Sequence, residues 1–282
     1  MSFVAVVFAV ALPVFDMATN SLARRIDGAD PAVCLSRFVN YPNCFRTNPQ
    51  SLIPNPQSLI PNPQSLLPNP SFWLKDVDFS CASPWSDECG ATRAGTLISK
   101  RHIIFAKHFP LWKGCRVLFV DQQGEVCPCR VEATKGVDRS DIAIGLLDYE
   151  VTPSIHPAKI LPEDFADHIG NGKGLPIVTF NQSENAFLSE CRFITSNTLS
   201  NVDSTRAVWK ALGGKIVVGD SGNPAFLLIG NEPILLYCLL SGGVGHGPPI
   251  HRFRREIQKA MDELCPGYKL ECFDFSKASH AN

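Results

Sequence analysis

The chain has 282 residues, of which 45% are hydrophobic, enough to bury a core in one large all-β domain or two smaller ones. Its 26 basic and 27 acidic side chains give a net charge of -1, so no overall electrostatic attraction favours nucleic acid or anionic lipid. We therefore expect a globular protein that does not bind nucleic acid.

Residues 1–22 form a segment that resembles a secretory signal peptide in its apolar run, MSFVAVVFAVALPVF. The run is too short to span a membrane, and the small residues of DMATNSLA suit cleavage by a signal peptidase. No Lys or Arg precedes Arg24, so a buried N-terminal strand is the alternative. The segment predicts export to a secreted or periplasmic location, with no integral membrane span.

Residues 23–71 are predicted to be a linker that contains three copies of the unit NPQSLIP, the third of them written NPQSLLP. The two prolines in each unit exclude a helix, because proline removes a backbone donor and clashes with the preceding turn. An extended, polyproline-like spacer is expected instead. Ahead of the repeat, Arg24 and Arg25 lie directly before Ile26. They are either a basic cleavage site or charged residues of the linker.

Eleven cysteines are many for a cytosolic enzyme and predict partial disulfide pairing in an oxidising compartment. Because their number is odd, at least one is free or pairs outside the chain. Residues 127–129 read CPC, but one Cys-x-Cys without a second cluster is a weak pattern for metal or redox chemistry. We therefore expect no metal and no organic cofactor.

From residue 72 onward, short apolar and β-branched runs alternate with turn residues, which predicts an all-β sandwich or barrel. The spacing of the apolar residues changes to a helical period only within residues 249–270. There, apolar residues recur at helical spacing ahead of a Pro-Gly pair that ends the segment. These residues are Phe253, Ile257, Ala260, Met261 and Leu264. The sequence thus predicts many strands followed by one C-terminal amphipathic helix.

Three short motifs carry the residue types that nucleophilic catalysis by serine requires. A serine hydroxyl needs a base for its proton and a carboxylate that holds the base in the right tautomer. His108 ends an apolar strand in AGTLISKRHIIFAKHF, Asp141 precedes another in SDIAIGLL, and Ser221 lies in the turn GDSGNP. Taken singly, each has an ordinary structural interpretation: a strand-end histidine, a turn cap and a turn serine.

In this order, the three motifs resemble the histidine, aspartate and serine motifs of the trypsin-like serine proteases. The resemblance covers roughly residues 72–272, is strong at the three motifs and is thin between them. It implies a protease domain over 72–282, built from two antiparallel six-stranded β-barrels with a C-terminal α-helix. The active site of such a domain lies in the cleft between the barrels.

By this resemblance, His108 is the general base, Asp141 the carboxylate that orients it, and Ser221 the nucleophile. The backbone N–H groups of Gly219 and Ser221 form the oxyanion hole, which binds the negative charge that develops during the reaction. The implied function is a monomeric serine endopeptidase that hydrolyses a polypeptide substrate through an acyl-enzyme intermediate.

Two further positions bear on substrate binding. Ser241, Gly242 and Gly243 resemble the family's substrate strand, which pairs with an extended peptide through main-chain hydrogen bonds. Lys215, six residues before Ser221, stands where the family sets its primary pocket and favours an acidic side chain in the substrate. A solvated lysine at a barrel rim is the alternative.

The chain departs from the family pattern at several positions. Phe109 and Val217 replace cysteines, so neither of the two usual disulfides forms, and Asn223 replaces the second glycine of GDSGGP. In members activated by cleavage, a new N-terminal amine pairs with the aspartate beside the serine, here Asp220. Without that amine, Asp220 needs another partner or the site is ordered without cleavage.

Two other functions stay open at this stage. One is a non-catalytic binding module that keeps the fold and the three residues but has a blocked cleft or a collapsed oxyanion turn. The other keeps the catalytic residues but hydrolyses esters or serves in intracellular protein quality control.

Overall fold

The computed structural model describes residues 18–39, 66–84, 93–163, 174–182, 184–195, 198–202, 207–238 and 245–275. In these ranges the chain is mainly β-strand and forms two sheets. None of the helices in the same ranges has the length and apolar character needed to cross a membrane.

The first sheet has six strands and forms a nearly closed barrel. They are β1 (Ala82–Ser83), β2 (Gly95–Leu97), β3 (His102–Ala106), β4 (Arg116–Val120), β5 (Val126–Gly136) and β6 (Ile142–Leu147). All neighbours are antiparallel, in the order β1-β2-β3-β6-β5-β4. The barrel nearly closes because β1 contacts β4, where the Ser83 hydroxyl donates a hydrogen bond to the Leu118 carbonyl.

The second sheet has seven strands rather than the six expected. They are β7 (Lys159–Ile160), β8 (Leu175–Phe180), β9 (Ala186–Thr195), β10 (Thr198–Val202), β11 (Pro224–Ile229), β12 (Glu232–Cys238) and β13 (His246–Gly247). Their order is β13-β10-β9-β8-β11-β12-β7, and β7 runs parallel to β12. The expectation of two purely antiparallel, six-stranded barrels is therefore wrong for this half. The extra strand, β7, arrives on the connection from the first barrel and joins the edge of the sheet.

The described helices are short and lie at the ends of the two sheets. They are α1 (18–26), α2 (Pro31–Cys34), α3 (Ala207–Ala211) and α4 (Arg254–Leu264), with a 3-10 turn at Ile250–Phe253. Helix α4 buries Ile257, Ala260 and Met261 and contacts β5 and β6. The chain therefore returns from the second sheet to pack on the first barrel.

The largest of the three apolar clusters in the described residues contains side chains from both sheets, and three phenylalanines of this cluster join the sheets. The ring of Phe79, just before β1, lies 5.0 Å from the ring of Phe180 and 5.5 Å from that of Phe226. Since Phe180 ends β8 and Phe226 lies in β11, burial of these rings stabilises the seam between the sheets as well as each half.

The N-terminal segment packs on the same core where the structure describes it. Ala18, Leu22 and Ile26 of α1 are buried, so residues 18–22 of the signal-like segment are helical here, whereas the apolar run for which a strand was the alternative lies outside the described residues. Further along, Phe38, ahead of the repeat, forms an isolated β-bridge with Pro68, the last residue of the third unit. Residues 1–17 and 40–65, with most of the repeat, lie outside the described residues.

Most of the cysteines that the structure describes carry free thiols. The cysteines outside disulfide bonds are Cys34, Cys81, Cys127, Cys129, Cys191, Cys238, Cys265 and Cys272. Among the described cysteines, Cys115 alone is in a disulfide bond, so the pairing expected from the cysteine count is present at one described residue and absent from these eight. Within the described ranges, the acidic, histidine and cysteine side chains also form no cluster of three or more that suits a metal ion.

A buried ion pair fixes the N-terminal segment to the second sheet. Glu184 lies in the turn between β8 and β9, and its side chain is fully buried. The Arg37 guanidinium donates two hydrogen bonds to the Glu184 carboxylate, at 2.8 and 2.7 Å. Arg37 also donates to the carbonyls of Phe79 and Ala82. Because all these groups are out of water, neither charge is easily accommodated without its partner.

We predict that removing one member of this pair destabilises the protein much more than removing both. Arg37→Met leaves the Glu184 carboxylate buried and unpaired, which costs about 3–5 kcal/mol. In urea unfolding, the double variant Arg37→Met/Glu184→Leu should lose less stability than Arg37→Met alone. Strictly additive losses would show that the pair is not coupled.

A second buried group is a histidine at the start of β3. His102 is fully buried, its Nδ1 lies 2.9 Å from the Ser99 Oγ, and its ring packs edge-on against Tyr268. Desolvation lowers the pKa of His102 to about 4, since it outweighs the stabilisation of the imidazolium by the Met261 carbonyl. The folded protein therefore favours the neutral imidazole. The stabilisation that this neutral form gives the folded state is lost as pH falls from about 6.5 toward 4.

We expect this histidine to make stability pH-dependent. Between pH 7 and about pH 4.5, His102 alone should lower the free energy of unfolding by about 2 kcal/mol. His102→Gln should remove that part of the pH dependence in urea unfolding, whereas His156→Gln, at a largely exposed histidine, should not. Equal pH dependence in the wild type and His102→Gln would contradict the assignment.

Candidate active site

The pairing of β3 with β6 brings the predicted histidine and aspartate to one edge of the first barrel. In this antiparallel pair Ala106 lies opposite Ile142, so the end of β3 meets the start of β6. His108 follows β3 by two residues, and Asp141 immediately precedes β6. A hydrogen bond from the Lys107 N–H to the Asp141 carbonyl (2.8 Å) continues the strand pairing up to the two side chains.

Asp141 holds His108 through both of its carboxylate oxygens. The backbone N–H of His108 donates to Oδ1 at 2.9 Å, and the ring Nδ1 lies 2.5 Å from Oδ2. With Nδ1 carrying the proton toward the carboxylate, Nε2 is left as the acceptor on the opposite side of the ring. The bond to the main chain fixes the position of the carboxylate relative to the ring.

The serine comes from the second sheet, in the turn that leads into β11. Gly222 has φ +90, and an added Cβ there would lie 2.9 Å from the Ala94 carbonyl oxygen and 3.5 Å from the Ala106 nitrogen. Glycine therefore permits the turn to approach the backbone of the first barrel. Ser221, the preceding residue, is almost fully buried at this contact.

At this contact the three side chains form a continuous chain of hydrogen bonds. His108 Nε2 lies 3.0 Å from Ser221 Oγ, within the distance for a hydroxyl-to-imidazole bond. The His108 side chain is 40% exposed and that of Asp141 29%, so the group is open to solvent on one side. The arrangement allows proton transfer from the hydroxyl to an imidazole that a carboxylate orients.

The backbone N–H groups of Gly219 and Ser221 have no hydrogen-bond acceptor among the described residues. Gly219 has φ +102, and the carbonyl of Val218 accepts a 3.4 Å hydrogen bond from the Gln182 side chain. Because a trans peptide points its C=O and N–H in opposite directions, the Gly219 N–H faces away from Gln182. In the described residues, neither this N–H nor that of Ser221 donates a hydrogen bond.

Asp220 is buried, and its hydrogen bonds stabilise the same loop. Its carboxylate accepts backbone hydrogen bonds from Val217 (2.8 Å) and Gln182 (3.2 Å). Desolvation raises the pKa of the Asp220 carboxyl, and these two N–H donors oppose the rise. The backbone of the second sheet thus supplies the partner that the sequence analysis required for this aspartate.

Two contributors to the site were not anticipated from the sequence. One is Gln182, an ordinary turn residue whose contacts depend on tertiary structure. The other is Arg93, whose guanidinium carbon lies 4.0 Å from the ring centroid of Phe109 and 4.5 Å from that of Trp112. This cation–π stack holds Phe109, the residue after His108. Phe109 stands where the family has a disulfide-forming cysteine.

The remaining predicted positions contribute less to the described site. Ser241, Gly242 and Gly243 lie outside the described residues. Lys215 is described and exposed. Asn223 is buried, and neither atom of its side-chain amide has a hydrogen-bond partner in the described part of the chain.

In comparisons with known proteins, no family model matches the chain, and no curated protein matches it either. The antiparallel sheets are compatible with a trypsin-like fold.

We predict that Gly219→Ala destabilises the protein more than a glycine substitution of equal backbone strain. Gly219 and Gly267 have nearly the same φ, +102 and +101, but an added Cβ at Gly219 would displace the Gln182 amide from its hydrogen bond to the Val218 carbonyl, whereas at Gly267 it meets open space. Left-handed strain should cost each alanine variant about 1–2 kcal/mol in urea unfolding. The additional loss at Gly219 should disappear in Gly219→Ala/Gln182→Ala, and equal losses in both single variants would argue against crowding.

Proposed function

We propose that the protein is a serine endopeptidase of the trypsin-like family, with His108, Asp141 and Ser221 as its catalytic triad. The observation that carries the proposal is the hydrogen-bond chain from Asp141 Oδ2 through His108 to Ser221 Oγ, with distances of 2.5 and 3.0 Å. In a non-catalytic module with a collapsed site, nothing requires these groups to stay aligned across two sheets.

In the proposed reaction, Ser221 Oγ attacks a peptide carbonyl while His108 Nε2 takes its proton. Asp141 keeps the proton of His108 on Nδ1 and stabilises the imidazolium that forms. His108 then donates the proton to the leaving amine, and water hydrolyses the resulting acyl-enzyme through the same base.

The N–H groups of Gly219 and Ser221 are proposed to bind the oxyanion of the tetrahedral intermediate. Both lack acceptors in the described residues, as a preformed oxyanion site requires. Each such donor is worth about 3 kcal/mol of barrier in enzymes of this kind. Gln182 positions the Gly219 peptide from the opposite side.

We also propose that the site is ordered without cleavage after Arg25. Arg25 lies in α1 and forms an ion pair of 2.7 Å with Asp76, while the next residue, Ile26, is buried. Asp220 already receives two backbone hydrogen bonds. A new amine at Ile26 is therefore not needed to neutralise Asp220, which supports activity in the uncleaved chain.

A fluorophosphonate probe should label the uncleaved protein at Ser221, because the probe reacts only with a serine that a base has activated. Ser221→Ala should abolish labelling, and His108→Ala should slow it at least about a thousandfold. Labelling rates are measured by intact mass, and the modified serine is located by peptide mapping.

The structure offers a matched control for this experiment. His156 Nδ1 lies 2.6 Å from Asp78 Oδ2, an imidazole–carboxylate pair like that of His108 and Asp141 but away from Ser221. His156→Ala should label at the wild-type rate. If folded wild-type protein is not labelled, or if His108→Ala reacts as fast as the wild type, the protein is a binding module rather than a peptidase.

A further inference from the structure

Cys127 and Cys129 form a thiol pair outside the candidate active site. Both lie on β5, where alternate residues face the same side of the strand. They are buried, with 4% and 1% of their surfaces exposed, and their Sγ atoms are 4.0 Å apart. The two thiols are therefore in direct contact, although no bond joins them.

The pair lies where β5 extends beyond its neighbour β6. Pairing between these strands begins at Val131, so the β6 side of the two cysteines is covered by the chain that follows β6. That chain is held to β5 by hydrogen bonds between Asp148 and Arg130. Tyr149, within this covering segment, is 44% exposed, so the segment that covers the thiols lies at the protein surface.

The surroundings give the two sulfurs different chemistry. The pKa of Cys127 is lowered by a hydrogen bond from Cys129, against the effect of burial, and Thr152 lowers it further through its N–H and hydroxyl. The pKa of Cys129 is raised, because its proton is shared with Cys127 and because it is buried. Cys127 is thus the better nucleophile and Cys129 the better resolving thiol.

We propose that Cys127 and Cys129 are a redox-active dithiol that low-molecular-weight disulfides, such as glutathione disulfide, oxidise to an intramolecular disulfide. Two residues along an antiparallel strand advance about 6.8 Å, which is the upper limit of the Cα separations that disulfides usually span. The sulfurs need to approach by about 2 Å. Closing this distance requires β5 to bend between the two residues, because the Cβ atoms of a disulfide lie only about 3.5–4.5 Å apart.

The exchange balances without any other reactant. The Cys127 thiolate attacks one sulfur of glutathione disulfide, which breaks the glutathione S–S bond and releases one glutathione thiolate. Cys129 then loses its proton and attacks the Cys127 sulfur, forming the protein disulfide and releasing the second glutathione. The two protein thiols lose two electrons in total, glutathione disulfide gains them, and both protons end on glutathione.

The sequence allows a direct test on the full-length protein. Trypsin releases residues 117–130 as one peptide that contains Cys127 and Cys129 and no other cysteine. The reduced native protein is equilibrated with glutathione disulfide, quenched with acid, alkylated under denaturing conditions and digested. We expect neither cysteine of this peptide to be alkylated. Its mass should be two hydrogen atoms lower than that of the reduced, unalkylated peptide.

Single variants distinguish a working pair from two independent thiols. Cys129→Ser should trap glutathione on Cys127, whereas the wild type should not accumulate this adduct. Cys265→Ser, which removes a more accessible thiol elsewhere, should oxidise at residues 117–130 like the wild type. The proposal fails if the wild-type peptide keeps both alkylation sites or carries glutathione instead of the internal bond. Because the wild-type measurement is independent of Ser221, it is unaffected by the outcome of the peptidase test.

Discussion

The candidate site depends on a close backbone contact between the two halves of the molecule. The turn before β11 meets the backbone at Ala94 and Ala106, and Gly222 is the position at which a side chain would prevent the contact. His108 and Asp141 are aligned within the first barrel by the β3–β6 pairing alone. Ser221 joins them only because this contact fixes the distance between the sheets.

The turn between β8 and β9 connects this contact to the rest of the fold. Through Gln182 it supports Asp220 and the Val218 carbonyl, and through Glu184 it binds Arg37 of the N-terminal segment. Both interactions replace water around the buried carboxylates of Asp220 and Glu184 with hydrogen bonds from the protein. The loop that carries the nucleophile is therefore supported by groups remote in sequence.

Local patterns in the sequence were sufficient for some features and not for others. Strand-edge positions for His108 and Asp141 follow from apolar runs beside polar residues, and the amphipathic period of residues 249–270 corresponds to α4. The parallel strand β7, the Arg93 stack and the role of Gln182 depend on contacts between distant segments, which no short window encodes. The cysteine count predicted pairing, but thiol geometry depends on where each strand places its side chains.

The return of α4 to the first barrel has a consequence for how the protein is made. During synthesis the strands of that barrel leave the ribosome long before residues 254–264, so the apolar surface of β5 and β6 stays uncovered while the second sheet is translated. Completion of the first half therefore waits for α4, which makes maturation of the first barrel depend on synthesis of the second sheet.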